Sequence, residues 1–438
     1  MSRFIRTVGR KGQPTYTLDG KFIYSAYDPF READSFVKQN VKPNHNVAVT
    51  ICGADFINNA LAERGYTTII SFDLSVLSGG EPDFEPLTEN AAIHRVRSVQ
   101  QAQNILLEKG IAAADIDILI WTPYIAACEN VDAAKLLEQI KNMCLTVTAS
   151  KTAADTFGEL EERNAGRNIR TLGNITYMPP QNVCDTAVIV ASGASLPNYL
   201  ELIRTLQSKT LILALPSSVK YLHSVGIEPD YVIAVDPGYA TLYHLCGLKS
   251  ETALICPLSI NPAILRLPNI TPIFFSYENE TDRRVFANTD VIRSCSEGSV
   301  VFNAVRIVRQ LGAKNVILMG QDFSFCNHRS HVPGGYFETE FFGSSSYYDS
   351  LDKTLLELRC RKEPTVIRAG DRMLDSDVSL KIYMDHLLRT DFGVRILLPD
   401  NAFNPLDNRY GTISVSEAAQ LCDVEKAIHN AQFIIHNN

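Results

Sequence analysis

The fold is decided by Thr186-Ala187-Val188-Ile189-Val190-Ala191-Ser192-Gly193-Ala194-Ser195-Leu196-Pro197. An apolar, β-branched run breaks off into a turn of small residues, and Ser195 followed by Pro197 has the form of a helix start. The stretch reads as a strand running into a helix. Downstream, residues 210–215, 231–235, 254–258, 273–277 and 316–319 are further short apolar runs, with helix-period segments at about 197–208, 217–226 and 299–312 between some of them. Six strands joined by helices predict a doubly wound, Rossmann-like α/β sheet, which binds ligands outside the carboxyl ends of its strands.

Upstream, the same alternation occurs on a smaller scale. Runs at 47–51, 68–72 and 116–121 are strand-like, and helical patterns at 54–64, 96–109 and 131–143 lie between or after them, so a smaller N-terminal α/β domain is expected. Before it, Asp19-Gly20 sits between alternating apolar residues, a hairpin signal. A polar helical pattern at about 154–172 carries Arg163, Arg167 and Arg170 and ends before Pro179-Pro180, which excludes helix there. The expected division is therefore 1–178, 179–400 and a short helical C-terminal segment, 401–438, in a chain of 438 residues that exceeds the roughly 250 to 300 residues of one core. From 323 to 349 the sequence is rich in Gly, Ser, Tyr and Phe, the form of a lid or binding loop. A helix at 376–390, a strand at 394–398 and a helix at 416–434 complete the expectation.

Composition removes several functions. A net charge of −8 with no Lys/Arg run above two residues leaves no basic stripe for nucleic acid. No apolar run approaches the roughly 20 residues of a membrane span, and Met1-Ser2-Arg3-Phe4-Ile5-Arg6 lacks the apolar stretch of a signal peptide, so a cytoplasmic protein without membrane insertion is expected. Ten cysteines without a Cys-x-x-Cys pair read as reduced, buried thiols, and no structural metal is expected. Nothing in the sequence sets an oligomeric state.

Four places carry candidate chemistry. The turn at Gly193 and Ser195 either offers unpaired N–H groups to a phosphate or is a tight turn that binds nothing. Asp236 ends an apolar run at the ligand-facing edge, where it either accepts a sugar hydroxyl or caps the Pro237-Gly238 turn. Ser296-Glu297-Gly298-Ser299 opens a second helix whose serines are anion donors or simple caps, and the run ending at Met319 delivers Gly320 and Asp322 to the same edge. His328 and His331 follow Asp322 in the lid-like loop, and either is a base near neutral pH or a surface residue.

Taken in order and spacing, Ser192-Gly193-Ala194-Ser195-Leu196, Gly226-Ile227-Glu228-Pro229-Asp230, Val235-Asp236-Pro237, Ser296-Glu297-Gly298-Ser299, Gly320-Gln321-Asp322 and the later His331 resemble the central domain of the motility-associated (Maf) flagellar glycosyltransferases. The segment from Phe157 to Leu172 is similar too, so the likeness spans about 155–400. The same domain resembles bacterial sialyltransferases that use CMP-activated sugars. That resemblance implies CMP-holding roles for Gly193, Ser195, Leu196, Ser296, Gly298 and Ser299, with Asp236, Gly320, Asp322 and Asn401 lining the pocket. It implies transfer of a nonulosonic (sialic-acid-like) sugar, such as pseudaminic acid, from a CMP-activated donor to Ser or Thr of flagellin, without an obligate metal. Asp322 and His331 are the expected catalytic pair. Two features depart from the pattern. No histidine lies between 364 and 385, where the sialyltransferases place theirs, so His331, Asp322 or Asp371 stands as base, and only about 40 residues follow Leu398. The rivals are a hydroxymethylpterin diphosphokinase using ATP and Mg²⁺, since an archaeal enzyme of that kind shares this domain, and a non-catalytic flagellin-binding protein.

Overall fold

The computed structural model describes residues 4–77, 79–87, 89–111, 115–128, 133–172, 174–287, 289–295, 298–326, 328–369, 371–400, 410–422 and 433–437. The chain divides into two compact units, Met1–Ala154 and Asp155–Asn438. The dividing point lies inside one helix, Ala133–Thr171, which unites the two helical patterns read separately in the sequence. Asn174–Tyr177, just before the expected boundary at 178/179, is a strand of the second unit.

In the first unit, β1 (Ile5–Val8), β2 (Pro14–Leu18) and β3 (Lys21–Phe22) form an antiparallel sheet. Asp19 and Gly20 turn the chain with φ of 51° and 76°, the two positive angles of a two-residue hairpin turn. Strands β4 (Val47–Ile51), β5 (Thr68–Phe72), β6 (Ile93–Val96) and β7 (Ile116–Ile120) follow, parallel, in the order β6-β5-β4-β7. Every residue of β4 and β5 is buried, as expected of strands covered on both faces.

The second unit holds β8 (Asn174–Tyr177), β9 (Thr186–Val190), β10 (Leu211–Ala214), β11 (Tyr231–Ile233), β12 (Thr252–Pro257), β13 (Ile270–Phe275) and β14 (Asn315–Met319). After a hairpin of β15 (Pro364–Ala369) and β16 (Arg372–Asp377) come β17 (Arg395–Pro399), β18 (Gly411–Ile413) and β19 (Ile434–Asn437). Among the described residues ten strands form one sheet, ordered β18-β17-β14-β9-β10-β11-β12-β13-β8-β19, parallel except for β19 against β8. The period of two along a strand splits β9 between two cores. Val188 and Val190 pack with Leu202, Ile203 and Leu222, whereas Ala187 and Ile189 pack with Val301, Phe302, Val305 and Val308 of the helix Val300–Gln310. Strand order reverses between β9 and β14, which puts a crevice at their carboxyl ends.

Three expectations change. Of the helix expected over 416–434, Val415–Leu421 is helical, capped by Ser414 and Glu417, residues 423–432 lie outside the described residues, and Ile434–Asn437 is an edge strand. The lid-like segment contains a helix, Tyr336–Phe342. All ten cysteines are free thiols, but Cys295 and Cys360 are exposed. Among the described residues no helix is long and apolar enough to cross a membrane.

Candidate functional site

The turns after β9 and β14 lock together. The Gly193 N–H donates to Gly320 O at 2.7 Å. A Cβ on Gly193 would lie 2.4 Å from that oxygen, and one on Gly320, whose φ is +68°, would lie 2.4 Å from Ala191 O. Glycine at both positions is therefore a packing requirement. Asp322 completes the lock, since its Oδ2 accepts the Ser195 N–H at 2.8 Å and its Oδ1 accepts the Ser195 hydroxyl. Burial pushes the Asp322 carboxyl up, against the two Ser195 bonds. This corrects the expectation of a phosphate-ready turn: the N–H groups of Gly193 and Ser195 are satisfied from within, and Asp322 positions the turn. Leu196 is fully buried in the core and offers its side chain to packing. Of the turn's donors, the Ala194 N–H has no protein acceptor among the described residues.

The second helix start differs. Gly298 has φ +78° and is exposed, and Ser299 caps Val300–Gln310 without a side-chain hydrogen bond. The Ser299 hydroxyl and the N–H groups of Val300 and Val301 stand at the positive end of an 11-residue helix, while the Phe302 N–H donates to Ser299 O at 3.1 Å. The loop before it is held by Asn303, whose amide donates to Ser294 Oγ and Cys295 O, both at 2.8 Å. Ser296 and Asn401 lie outside the described residues.

Of the two readings of Asp236, the structure shows the turn cap. Its Oδ1 accepts the Gly238 N–H at 2.7 Å, closing the turn, while the side chain remains half-buried beside Glu161. Burial, then the Asp236 charge, push the Glu161 carboxyl up. Glu161 is brought there by two buried asparagines on its own helix. Asn164 donates to Pro237 O and Ser259 O at 3.0 and 3.2 Å, and Asn168 to Leu258 O and Ile260 O at 2.8 Å each. This face borders a groove of about 890 Å³ that includes Glu161, Arg170, Ser259, Asn279 and Arg284. Ser259 is 5% exposed and its Oγ has no partner among the described residues, an arrangement that a ligand hydroxyl or carboxylate would relieve. Ser259 follows β12, three strands from β9, so the groove lies about 15 Å along the edge from the Gly193 turn at ordinary strand spacing.

His331 is pushed down to about 4 by burial and by neighbouring His244, which burial and Lys220 push down to about 4 as well. Both imidazoles are neutral at pH 7, so His331 is a proton acceptor of low basicity. Its Nδ1 lies 2.7 Å from Ser330 Oγ, and the next residue's N–H, Val332, donates to Ser192 O at 2.7 Å, pinning the loop to the β9 turn. Asp322, the other residue of the expected catalytic pair, is bonded to Ser195. His328 instead sits 2.7 Å from the Arg359 guanidinium, and Asp371 is exposed beyond β15. Asp230 accepts the Ile212 N–H at 2.8 Å, a structural role. Glu161, Asn164, Asn168, Ser259 and His244 were missed by sequence reasoning. The spacing of 161, 164 and 168 on one helical face was their one visible sign.

A family model described as 6-hydroxymethylpterin diphosphokinase MptE-like matches residues 159–328. Two curated relatives, both described as uncharacterized proteins of Treponema pallidum (strain Nichols), are each 28% identical, over 26% and 28% of this chain. The matches cover 33% and 59% of those relatives' lengths. The solved Maf glycosyltransferase from Magnetospirillum magneticum AMB-1 superposes with a TM-score of 0.60 at 14% identity, covering 100% of this chain and 75% of that one. The chain has the Maf glycosyltransferase fold.

Proposed function

We propose that this protein is a glycosyltransferase that moves a nonulosonic sugar from a CMP-activated donor to Ser or Thr hydroxyls of flagellin in the cytoplasm. The observation that carries the reading is the open helix start at Gly298 and Ser299, on the carboxyl edge of a sheet with the Maf glycosyltransferase fold. In this reading the helix N-terminus holds the CMP phosphate, with the charge stabilisation that unpaired N–H groups provide. The sugar, joined to that phosphate through a single oxygen, and the acceptor hydroxyl lie beside the same helix start. The bond from the anomeric carbon to phosphate breaks, the acceptor oxygen bonds to that carbon, and CMP leaves. The hydroxyl proton passes to His331. No divalent ion is invoked.

The test is mass spectrometry of flagellin from cells with and without the gene. Loss of the glycan mass is expected on deletion, and unchanged flagellin overturns the reading. The family-model match over 159–328 favours one alternative, a pterin diphosphokinase. Calorimetry separates them: the transferase binds CMP in EDTA, whereas the kinase binds ATP and requires Mg²⁺.

A further inference from the structure

The first unit has its own cavity, about 260 Å³, at the carboxyl ends of β4, β5 and β6. In chain order the four parallel strands are arranged 3-2-1-4, and the first three, 3-2-1, have the order of a mononucleotide-binding half, which holds a nucleoside outside the carboxyl ends of its strands. We propose that this cavity binds a ribonucleoside whose ribose diol is held by Asp73 and whose 5′ substituent carries no phosphate.

The turn after β4 contains Gly53, with φ +71° and a would-be Cβ 2.8 Å from the Phe84 ring, so the turn packs down on the wall of the cavity. Asp73 directly follows β5, 20 residues beyond Gly53 (73 − 53), where an acidic residue of this fold type accepts the ribose hydroxyls. Its Oδ1 accepts the N–H groups of Ser75 and Val76 at 2.9 and 3.2 Å, and Oδ2 accepts that of Asp83 at 3.0 Å. These bonds fix the carboxylate and leave Oδ2 capacity for a ligand donor. Val76, Phe84 and Val96 provide an apolar wall for a planar base.

The 5′ end follows from Asp55. In dinucleotide sites the helix after the first strand receives pyrophosphate at its N-terminus. Here that position, before the helix Phe56–Glu63, is Asp55, only 4% exposed. Its carboxylate is held by Arg95, by the Asn58 amide at 2.9 Å and by the Leu87 N–H at 3.3 Å. Arg97 also lines the cavity, but the carboxylate fixed at the helix start stands where a pyrophosphate would bind and repels it, and 260 Å³ does not hold a dinucleotide. A neutral or cationic 5′ group fits.

All of these residues belong to the first unit, so the inference is independent of the transferase reading. Calorimetry on the full chain with adenosine, guanosine and uridine, their 2′,3′-dideoxy analogues and their 5′-monophosphates tests it, cytidine and CMP being left out because the transferase reading gives CMP a site in the other unit. At least one ribonucleoside is expected to bind, with its dideoxy analogue weaker by tenfold or more and its monophosphate weaker than the parent. Asp73→Asn is expected to weaken binding about tenfold. No binding at millimolar ribonucleoside, equal binding of the dideoxy analogue, or tighter binding of the monophosphate would each overturn it. The analogue comparison uses the unaltered protein, so it decides the matter even where Asp73→Asn fails to fold.

Discussion

The turn at Gly193 to Ser195 and the turn at Gly298 to Ser299 look alike in sequence, each a glycine, a serine and a helix start at the edge of one sheet. The first is closed by a carboxylate from 127 residues away, which takes the Ser195 N–H and hydroxyl. The second is open, with a serine whose hydroxyl makes no cap bond. Residue types alone therefore do not make an anion site. What decides is whether the donors of a helix start are already spent, and that depends on long-range packing.

The largest expected break in the comparison is Gly193→Ala. Its methyl would meet backbone oxygen at 2.4 Å, where no side chain can swing away, so at least ~3 kcal/mol of stability should be lost from the second unit. Urea denaturation reads this as a lower midpoint; a midpoint equal to the parent's would mean that the turns do not lock. The pH dependence comes next. His244 and His331 have folded values of about 4 against an ordinary 6.5, so the unfolded chain takes up protons first. The stabilisation is full above about 6.5 and is lost as pH falls through about 4. Each shift corresponds to roughly 3 kcal/mol, and the coupled pair to less than twice that. A melting temperature that is flat across this interval would contradict the buried pair. Removing the carboxylate, Asp322→Ala, should cost about 2 kcal/mol through the unpaired Ser195 donors, measured by the same denaturation, and leave CMP affinity within about twofold, a shift worth about 0.4 kcal/mol.

How much of this was legible follows from where each signal is stored. β9, β10 and β14 are unbroken apolar runs and were plain, as was the Asp19-Gly20 turn. β6 (Ile-His-Arg-Val) and the hairpin of β15 and β16 carry polar residues through their strands, and no periodicity announces them. The helix Ala133–Thr171 was read in two pieces because Leu145-Thr146-Val147-Thr148 is β-branched, and local propensity hides a continuous helix there. At the site, sequence identified Gly193, Asp322 and Ser299 as candidates but not that Asp322 occupies the first turn. Glu161 escaped notice because its role comes from Asn164 and Asn168 gripping carbonyls more than 70 residues away, and a helix face does not name its partner.

The smallest structural effects separate the turns most sharply. Gly298→Ala meets the Tyr383 ring at 3.3 Å rather than backbone, and bears mainly the cost of φ +78°, about 1 kcal/mol. Ser299→Ala should cost less still, within ~0.5 kcal/mol, since the usual penalty for losing a cap reflects a hydrogen bond that this serine does not make. Its effect should appear instead in ligand binding, as a CMP affinity reduced about tenfold, the loss of one hydrogen bond to a charged group. Calorimetric titration with CMP beside urea denaturation of the same variant distinguishes the two quantities. A serine that stabilises the fold but leaves CMP binding untouched would make this helix start a cap like any other, and the open turn would lose its claim to the phosphate.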